Sequence, residues 1–112
     1  MDTTPMMQLP TTTPTELKNE IEAGEQVTVV DVRQPHEFQR GTIEAPNVET
    51  LNIPLGQLQA GQPQNLLSDV PTDNVVAICA SGSRSGMATQ ILNQAGIDAK
   101  NLQSGMMGWS RV

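Results

Sequence analysis

Two runs of β-branched and small apolar residues, Val27-Thr28-Val29-Val30-Asp31-Val32 and Val75-Val76-Ala77-Ile78-Cys79, constrain this chain more than any other feature. Neither run alternates polar with apolar residues, as a strand with one wet face would. Each therefore reads as a strand covered on both faces, in the interior of a parallel sheet. Parallel neighbours need crossover connections, and helix-like segments follow both runs. The expected fold class is α/β, with a parallel sheet between helical layers.

The helical segments carry their own punctuation. Thr13, Pro14 and Glu16 form a helix start, with Thr13 as N-cap, Pro14 in the first turn and Glu16 placed to complete a capping box. Leu17 and Ile21 then share one face, and Gly24 ends the helix. Gln34-Pro35-His36-Glu37-Phe38 reads as a short helix closing near Gly41, and Leu51-Asn52-Ile53 as a weaker strand stopped by Pro54. Between Gly56 and Val70, leucines at 58, 66 and 67 are interrupted by Gly61 and Pro63, which predicts a broken helix. From Arg84 to Ala95, residues Met87, Ala88, Ile91, Leu92 and Ala95 are assigned to one apolar stripe, capped by Gly96. A short strand around Lys100 to Gln103, a turn at Ser104-Gly105 and a last helical piece with Trp109 complete the chain. Residues 1–12 show no period and are expected to be a flexible arm with few contacts, ahead of a domain spanning 13–112.

At 112 residues the chain has the length of one domain, and with one Phe, one Trp and no Tyr its core must rest on aliphatic side chains. The net charge of −6 opposes general attraction to nucleic-acid phosphates or anionic lipid, so neither nucleic acid nor membrane is expected as a partner. That charge is uneven. Eleven of the twelve acids lie before Cys79, whereas the six bases divide equally on either side, leaving the last third locally cationic. One cysteine excludes an intrachain disulfide, a CxxC redox pair and the usual cysteine zinc sites. With no long apolar run and no leader-like start, the chain reads as soluble and cytoplasmic.

The segment richest in chemistry is Cys79-Ala80-Ser81-Gly82-Ser83-Arg84-Ser85, between a buried strand and an amphipathic helix. In open α/β sheets ligands bind beyond the carboxyl ends of the strands. Small residues let the backbone curl, and Gly82 can take positive φ, so successive N–H groups can form an anion-binding nest. The helix N-terminus and Arg84 add positive charge, and all three favour a thiolate at Cys79. Cys79 is the candidate nucleophile; Ala80, Ser81, Gly82, Ser83 and Arg84 are the candidate substrate-binding residues. Ser83 is the serine favoured to touch substrate, and Ser85 is placed either near the sulfur or at the helix cap. The competing reading is an inert buried cysteine ending a strand. Four residues separate Cys79 from Arg84, whereas cysteine phosphatases typically have five, so the tighter ring suits a single sulfur better than a phosphoryl group.

On these residues the chain resembles the rhodanese family of sulfurtransferases, over about Thr13 to Trp109. Asp31-Val32-Arg33 with Pro35, Glu37 and Phe38 is similar to the family's first signature, and Asn52-Ile53-Pro54-Leu55 to its second strand. Cys79 to Arg84 resembles the six-residue loop of the thiosulfate-type members, and Leu102, Gly105 and Trp109 fit the closing pattern. The resemblance implies a three-layer fold around about five parallel strands. It implies a double displacement, in which Cys79 takes a sulfane sulfur from an anion such as thiosulfate and passes it to cyanide or a thiol, with no metal or organic cofactor. A protein persulfide partner is compatible with it. Three positions depart from the pattern. Gly41-Thr42-Ile43-Glu44-Ala45-Pro46 stands where relatives often read Gly-His-Ile-Pro-Gly-Ala and runs on to Asn52, Ser104 replaces a glycine, and the chain stops soon after Trp109, so Val112 is read as a boundary within a longer protein.

Asp31 and Arg33 could line the site or lock the turn as an ion pair, and the locking role is favoured. His36 reads as a solvated surface residue and Trp109 as a packing residue; Met106 and Met107 edge the pocket or fill gaps. Two classes of function remain: a sulfurtransferase enzyme, or a persulfide carrier or interaction module of a larger protein.

Overall fold

A computed structural model describes residues 9–60 and 66–112. Five parallel strands form one sheet: β1 (Thr11–Thr12), β2 (Val27–Asp31), β3 (Val48–Asn52), β4 (Val75–Ile78) and β5 (Ala99–Leu102). Their spatial order is β1-β5-β4-β2-β3, which puts both apolar runs inside the sheet as expected. Helices α1 (Pro14–Glu22), α2 (Pro35–Gln39), α3 (Leu55–Gln59), α4 (Ser83–Gln94) and α5 (Gly105–Trp109) connect and flank it.

Strand parity sorts the core into two layers. Val30, Val32, Val75, Ala77 and Cys79 face Leu58, Ala88 and Leu92 on the side of α3 and α4. Val27, Val29, Val76 and Ile78 face the other way, toward Leu17, Ile43 and Leu102, with Ile21, Met106 and Trp109 packed at the edge. Because successive side chains alternate, an odd position on β4 commits Cys79 to the face that α4 covers. The capping box at α1 is present in full: the Glu16 N–H donates to Thr13 Oγ1 at 3.1 Å and the Thr13 N–H to Glu16 Oε1 at 3.1 Å.

Two expectations need correction. Thr11 and Thr12, assigned to a free arm, pair in parallel with Asn101 and Leu102 as an edge strand, and Thr12 is buried. The Asn101 N–H donates to the Pro10 carbonyl at 2.9 Å and the Gln103 N–H to the Thr12 carbonyl at 2.8 Å, so β5 would be the sheet edge without them. Residues 1–8 of that arm lie outside the described residues, as do Gly61 and Pro63 of the broken helix. The stripe on α4 is also rotated. Ser85, Ala88, Thr89 and Leu92 are buried, whereas Met87 is 50% exposed and Ala95 is exposed. Small residues at 85, 88 and 89 bring the helix axis close to the sheet, which the larger Met87 would prevent.

The loop from Gly41 to Asn47 is anchored to the core through Ile43. Ile43 is fully buried, the Thr42 hydroxyl donates to Asp31 Oδ2 at 3.1 Å, and the Thr50 hydroxyl donates to the Ile43 carbonyl at 2.9 Å.

Ser104 takes φ +69°, a left-handed conformation that disfavours residues with a Cβ. Its Cβ also explains Gly108, where an added Cβ would fall 2.6 Å from Ser104 Cβ. Ser104→Gly is expected to stabilise the fold by about 1 kcal/mol, because left-handed backbone costs residues with a Cβ roughly 1–2 kcal/mol and glycine's larger unfolded-state entropy offsets part of that gain. Urea denaturation checks this, and an unchanged or lowered midpoint would contradict it.

Candidate active site

Cys79 leaves the end of β4 with no solvent exposure, and the chain then turns through Ala80, Ser81 and Gly82 into α4. Gly82 sits at φ +107°, a value suited to glycine, and this reversal turns the chain from the loop into α4. The Gly82 N–H donates to Cys79 Sγ at 3.0 Å, and the Ser85 hydroxyl lies 3.3 Å from the same atom. From the other side α5 grips the loop: the Met106 N–H donates to the Cys79 carbonyl at 2.8 Å and the Met107 N–H to the Ala80 carbonyl at 3.0 Å. The strand end and both loop carbonyls are therefore held before any ligand arrives.

Burial pushes the Cys79 thiol up, but the Ser85 hydroxyl and the backbone N–H groups of Ser85, Gly82 and Ser81 outweigh it, leaving the thiol below its ordinary value. The cradle is thus chiefly hydrogen bonds to sulfur from the first turn of α4 and the loop before it.

Arg84 differs from expectation. Its guanidinium forms a two-pronged pair with Glu37 of α2, Nη1 to Oε1 at 2.9 Å and Nη2 to Oε2 at 3.1 Å, on a partly exposed rim. Glu37 is itself fixed, because Oε1 also accepts from the Gln34 N–H at 3.0 Å. The Arg84 hydrogen bond, helped by that N–H, lowers the Glu37 pKa to about 2, so the carboxylate stays ionised through any working pH. Arg84 is raised by the same partner, with the nearby Cys79 charge adding to it. The rim therefore carries a neutralised pair where an unpaired cation was expected.

The remaining sequence candidates separate cleanly. Ser81 and Ser83 are exposed, and Ala80 is half-buried; the serine at the sulfur is Ser85, fully buried, and not Ser83. Asp31 and Arg33 lock the turn after β2: Arg33 Nη2 donates to Asp31 Oδ2 at 2.8 Å and to the Gly41 carbonyl at 2.7 Å, and both residues are buried. Asn52 Nδ2 fastens β3 to this turn through the Asp31 and Arg33 carbonyls, each at 3.0 Å. His36 is exposed, Trp109 packs against the core, and Met107 is 58% exposed. A shallow hollow of about 230 Å³ beside the loop is lined by Ser81, Ser104, Met107, Gly108 and Arg111.

Sequence reasoning passed over Glu37 as a site residue and Asn101 altogether. Glu37 stands at the third position of α2, and Asn101 is a polar side chain in a buried strand, a placement that asks for a partner. Among the described residues no helix is long and apolar enough to cross a membrane, and no group of three or more His, Cys, Asp and Glu is placed to hold a metal ion.

Comparison with known proteins adds independent findings. The rhodanese-like domain family matches residues 13–112. A sulfurtransferase of Allochromatium vinosum is 34% identical over 89 residues, covering 78% of this chain and 75% of that protein. Thiosulfate sulfurtransferase 18 of Arabidopsis thaliana is 32% identical over 99 residues, covering 82% of this chain and 71% of that protein. The crystal structure of a rhodanese-like domain protein from Staphylococcus aureus superposes with a TM-score of 0.72 at 34% identity, covering 90% of this chain and 91% of that one. Some relatives are much longer, and the match spans only 24% of one from Mycobacterium tuberculosis.

Proposed function

This chain belongs to the rhodanese-like family, and from that premise we propose that it is a sulfurtransferase working through a persulfide on Cys79. The observation that carries this reading is the cradle itself, a fully buried Sγ that receives the Gly82 N–H at 3.0 Å, with the Ser85 hydroxyl beside it. In the first half-reaction the Cys79 thiolate attacks the outer sulfur of thiosulfate. The S–S bond of the donor breaks, sulfite leaves with its electron pair, and the transferred sulfur remains on Cys79 as an anionic persulfide. In the second, cyanide or a thiolate attacks that outer sulfur, the new S–S bond breaks, and Cys79 returns as thiolate with thiocyanate or a new persulfide as product. Dividing the transfer between two displacements keeps each step a single attack at sulfur.

The loop's remaining assignments follow from that scheme. The Ser81 and Gly82 N–H groups, which already favour the charged sulfur, are assigned to hold the persulfide, with Ala80 and Ser83 flanking it in the loop. Arg84 offers the donors not engaged by Glu37 to the sulfonate of thiosulfate. Proteins and small thiols are alternative acceptors, reached over the hollow beside Ser81. A persulfide-carrier role in a larger protein uses the same first half-reaction, and differs only in releasing sulfur to a dedicated partner.

Arg84 and Glu37 give this reading a graded test. Arg84→Ala removes a charge-assisted contact of about 1.5–3 kcal/mol and exposes the Glu37 carboxylate to an incoming dianion, so kcat/KM for thiosulfate should fall by roughly ten- to a hundredfold or more. Adding Glu37→Gln to that variant should recover part of the loss by removing the repulsion. Steady-state kinetics with cyanide as acceptor decides it. If Arg84→Ala leaves kcat/KM unchanged, the guanidinium has no part in holding the donor.

A further inference from the structure

Behind the sulfur lies a hydrogen-bonded chain that the displacement scheme leaves unused. Ser85 Oγ is 3.3 Å from Cys79 Sγ and 2.5 Å from Asn101 Oδ1 on β5. Asn101 Nδ2 in turn donates to the Gly82 carbonyl at 3.1 Å, which fixes the amide's orientation and leaves Oδ1 facing the serine. Cys79 and Ser85 have no exposure and Asn101 only 8%, so water is not on hand to supply a missing donor. A serine hydroxyl has a single proton to give. That proton can go to Asn101 or to sulfur, and an amide oxygen is a stronger acceptor than a neutral thiol sulfur.

We infer that Asn101 is a positioning residue that competes with Cys79 for the Ser85 proton and thereby limits how far the Ser85 hydroxyl favours the thiolate. In the thiol form the chain is consistent from end to end, with S–H donating to Ser85 Oγ and Ser85 O–H donating to Asn101 Oδ1. When the thiol loses its proton, sulfur becomes an acceptor, and the serine must either turn away from Asn101, leaving two oxygens opposed, or leave the sulfur with its backbone N–H donors alone. Asn101 thus weakens, without cancelling, the help that Ser85 gives the thiolate. Once a persulfide forms, the negative charge moves to the outer sulfur, Sγ no longer needs the serine, and the Ser85–Asn101 bond is kept. This inference rests on Cys79 being the reactive thiol and adds a residue that governs when it is reactive.

Other charges near the sulfur are already paired or turned away. Arg84 on α4 is bound to Glu37 of α2, and Asp31 at the end of β2 is bound to Arg33. Lys100, next to Asn101 on β5, is exposed. Helix α5 brings no titratable side chain to the loop, and Arg111, two residues past it, lines the hollow beside Ser81 from an exposed position.

The test is the pH dependence of iodoacetamide alkylation of Cys79, which needs no sulfur donor and therefore stands or falls apart from the sulfurtransferase reading. Asn101→Ala is expected to lower the thiol pKa by about half a unit to one unit, since the freed serine proton then serves the thiolate. The Gly82 carbonyl keeps a partner in that variant, the Gly86 N–H at 3.1 Å, so the loop remains held. Asn101→Thr, which suits a strand and is too short to reach Ser85 in the same way, is expected to shift the pKa in the same direction and guards against loss of fold in the alanine variant. In a Ser85→Ala background the Asn101→Ala change should move the pKa by nothing measurable. An unchanged or raised pKa in both Asn101 variants, or an equal drop with and without Ser85, overturns the inference.

Discussion

Cys79→Ser is expected to abolish sulfur transfer, lowering thiocyanate formation from thiosulfate and cyanide by at least about a thousandfold, while the thermal transition moves little. A serine hydroxyl is not ionised near neutral pH and is far less nucleophilic than a thiolate, so neither displacement can start. Its oxygen is smaller than sulfur but occupies the same buried position, where the Gly82 N–H can still find an acceptor and the cradle need not collapse. Activity assays alongside a melting curve separate the chemical loss from a folding loss. Residual turnover near the level of the unsubstituted protein would remove Cys79 from the mechanism.

The second large effect belongs to a residue that touches no substrate. Gly105 opens α5 at φ +55°, and a Cβ placed on it would lie 2.3 Å from the Cys79 carbonyl oxygen and 2.7 Å from the Ala80 carbonyl group. Those atoms are backbone, so no side chain can swing aside. Gly105→Ala therefore combines left-handed strain of about 1–2 kcal/mol with an overpacking cost of about 1–3 kcal/mol, a total of roughly 2–5 kcal/mol. For a domain of this length that corresponds to a Tm lower by about 4–8 °C for each kcal/mol. The displacement needed to relieve the clash would pull apart the grip of Met106 and Met107 N–H groups on the loop and loosen the hydrogen bonds to sulfur, so the pKa read from Cys79 alkylation should also rise toward the ordinary thiol value. A melting temperature within a degree or two of the parent would contradict the close approach.

What the sequence disclosed follows from locality. VTVVDV and VVAIC carry their own evidence for double-sided burial, and the even spacing from Val75 to Cys79 already puts the thiol on the same face as Val75 and Ala77. The capping box at Thr13 and the glycine at 82 are likewise read from neighbours a few residues apart. The errors arise where the partner is distant. Arg84 and Glu37 are separated by 47 positions, and nothing local to either announces the pair. Thr11–Thr12 is a strand only because β5 offers it a free edge; two residues cannot show a period. On α4 an apolar count favoured Met87, whereas close helix–sheet packing selected the small side chains at 85, 88 and 89. Ser85 was visible as a serine one turn into the helix, but its role depends on Asn101, 16 positions away on a different element.

Whether Cys79 carries the sulfur is read by mass spectrometry of the intact protein after incubation with thiosulfate, with no acceptor present. The expected result is one added sulfur per chain, removed by cyanide or a reductant and located to the peptide containing Cys79. A protein whose mass does not change under conditions where iodoacetamide still labels Cys79 would contradict it.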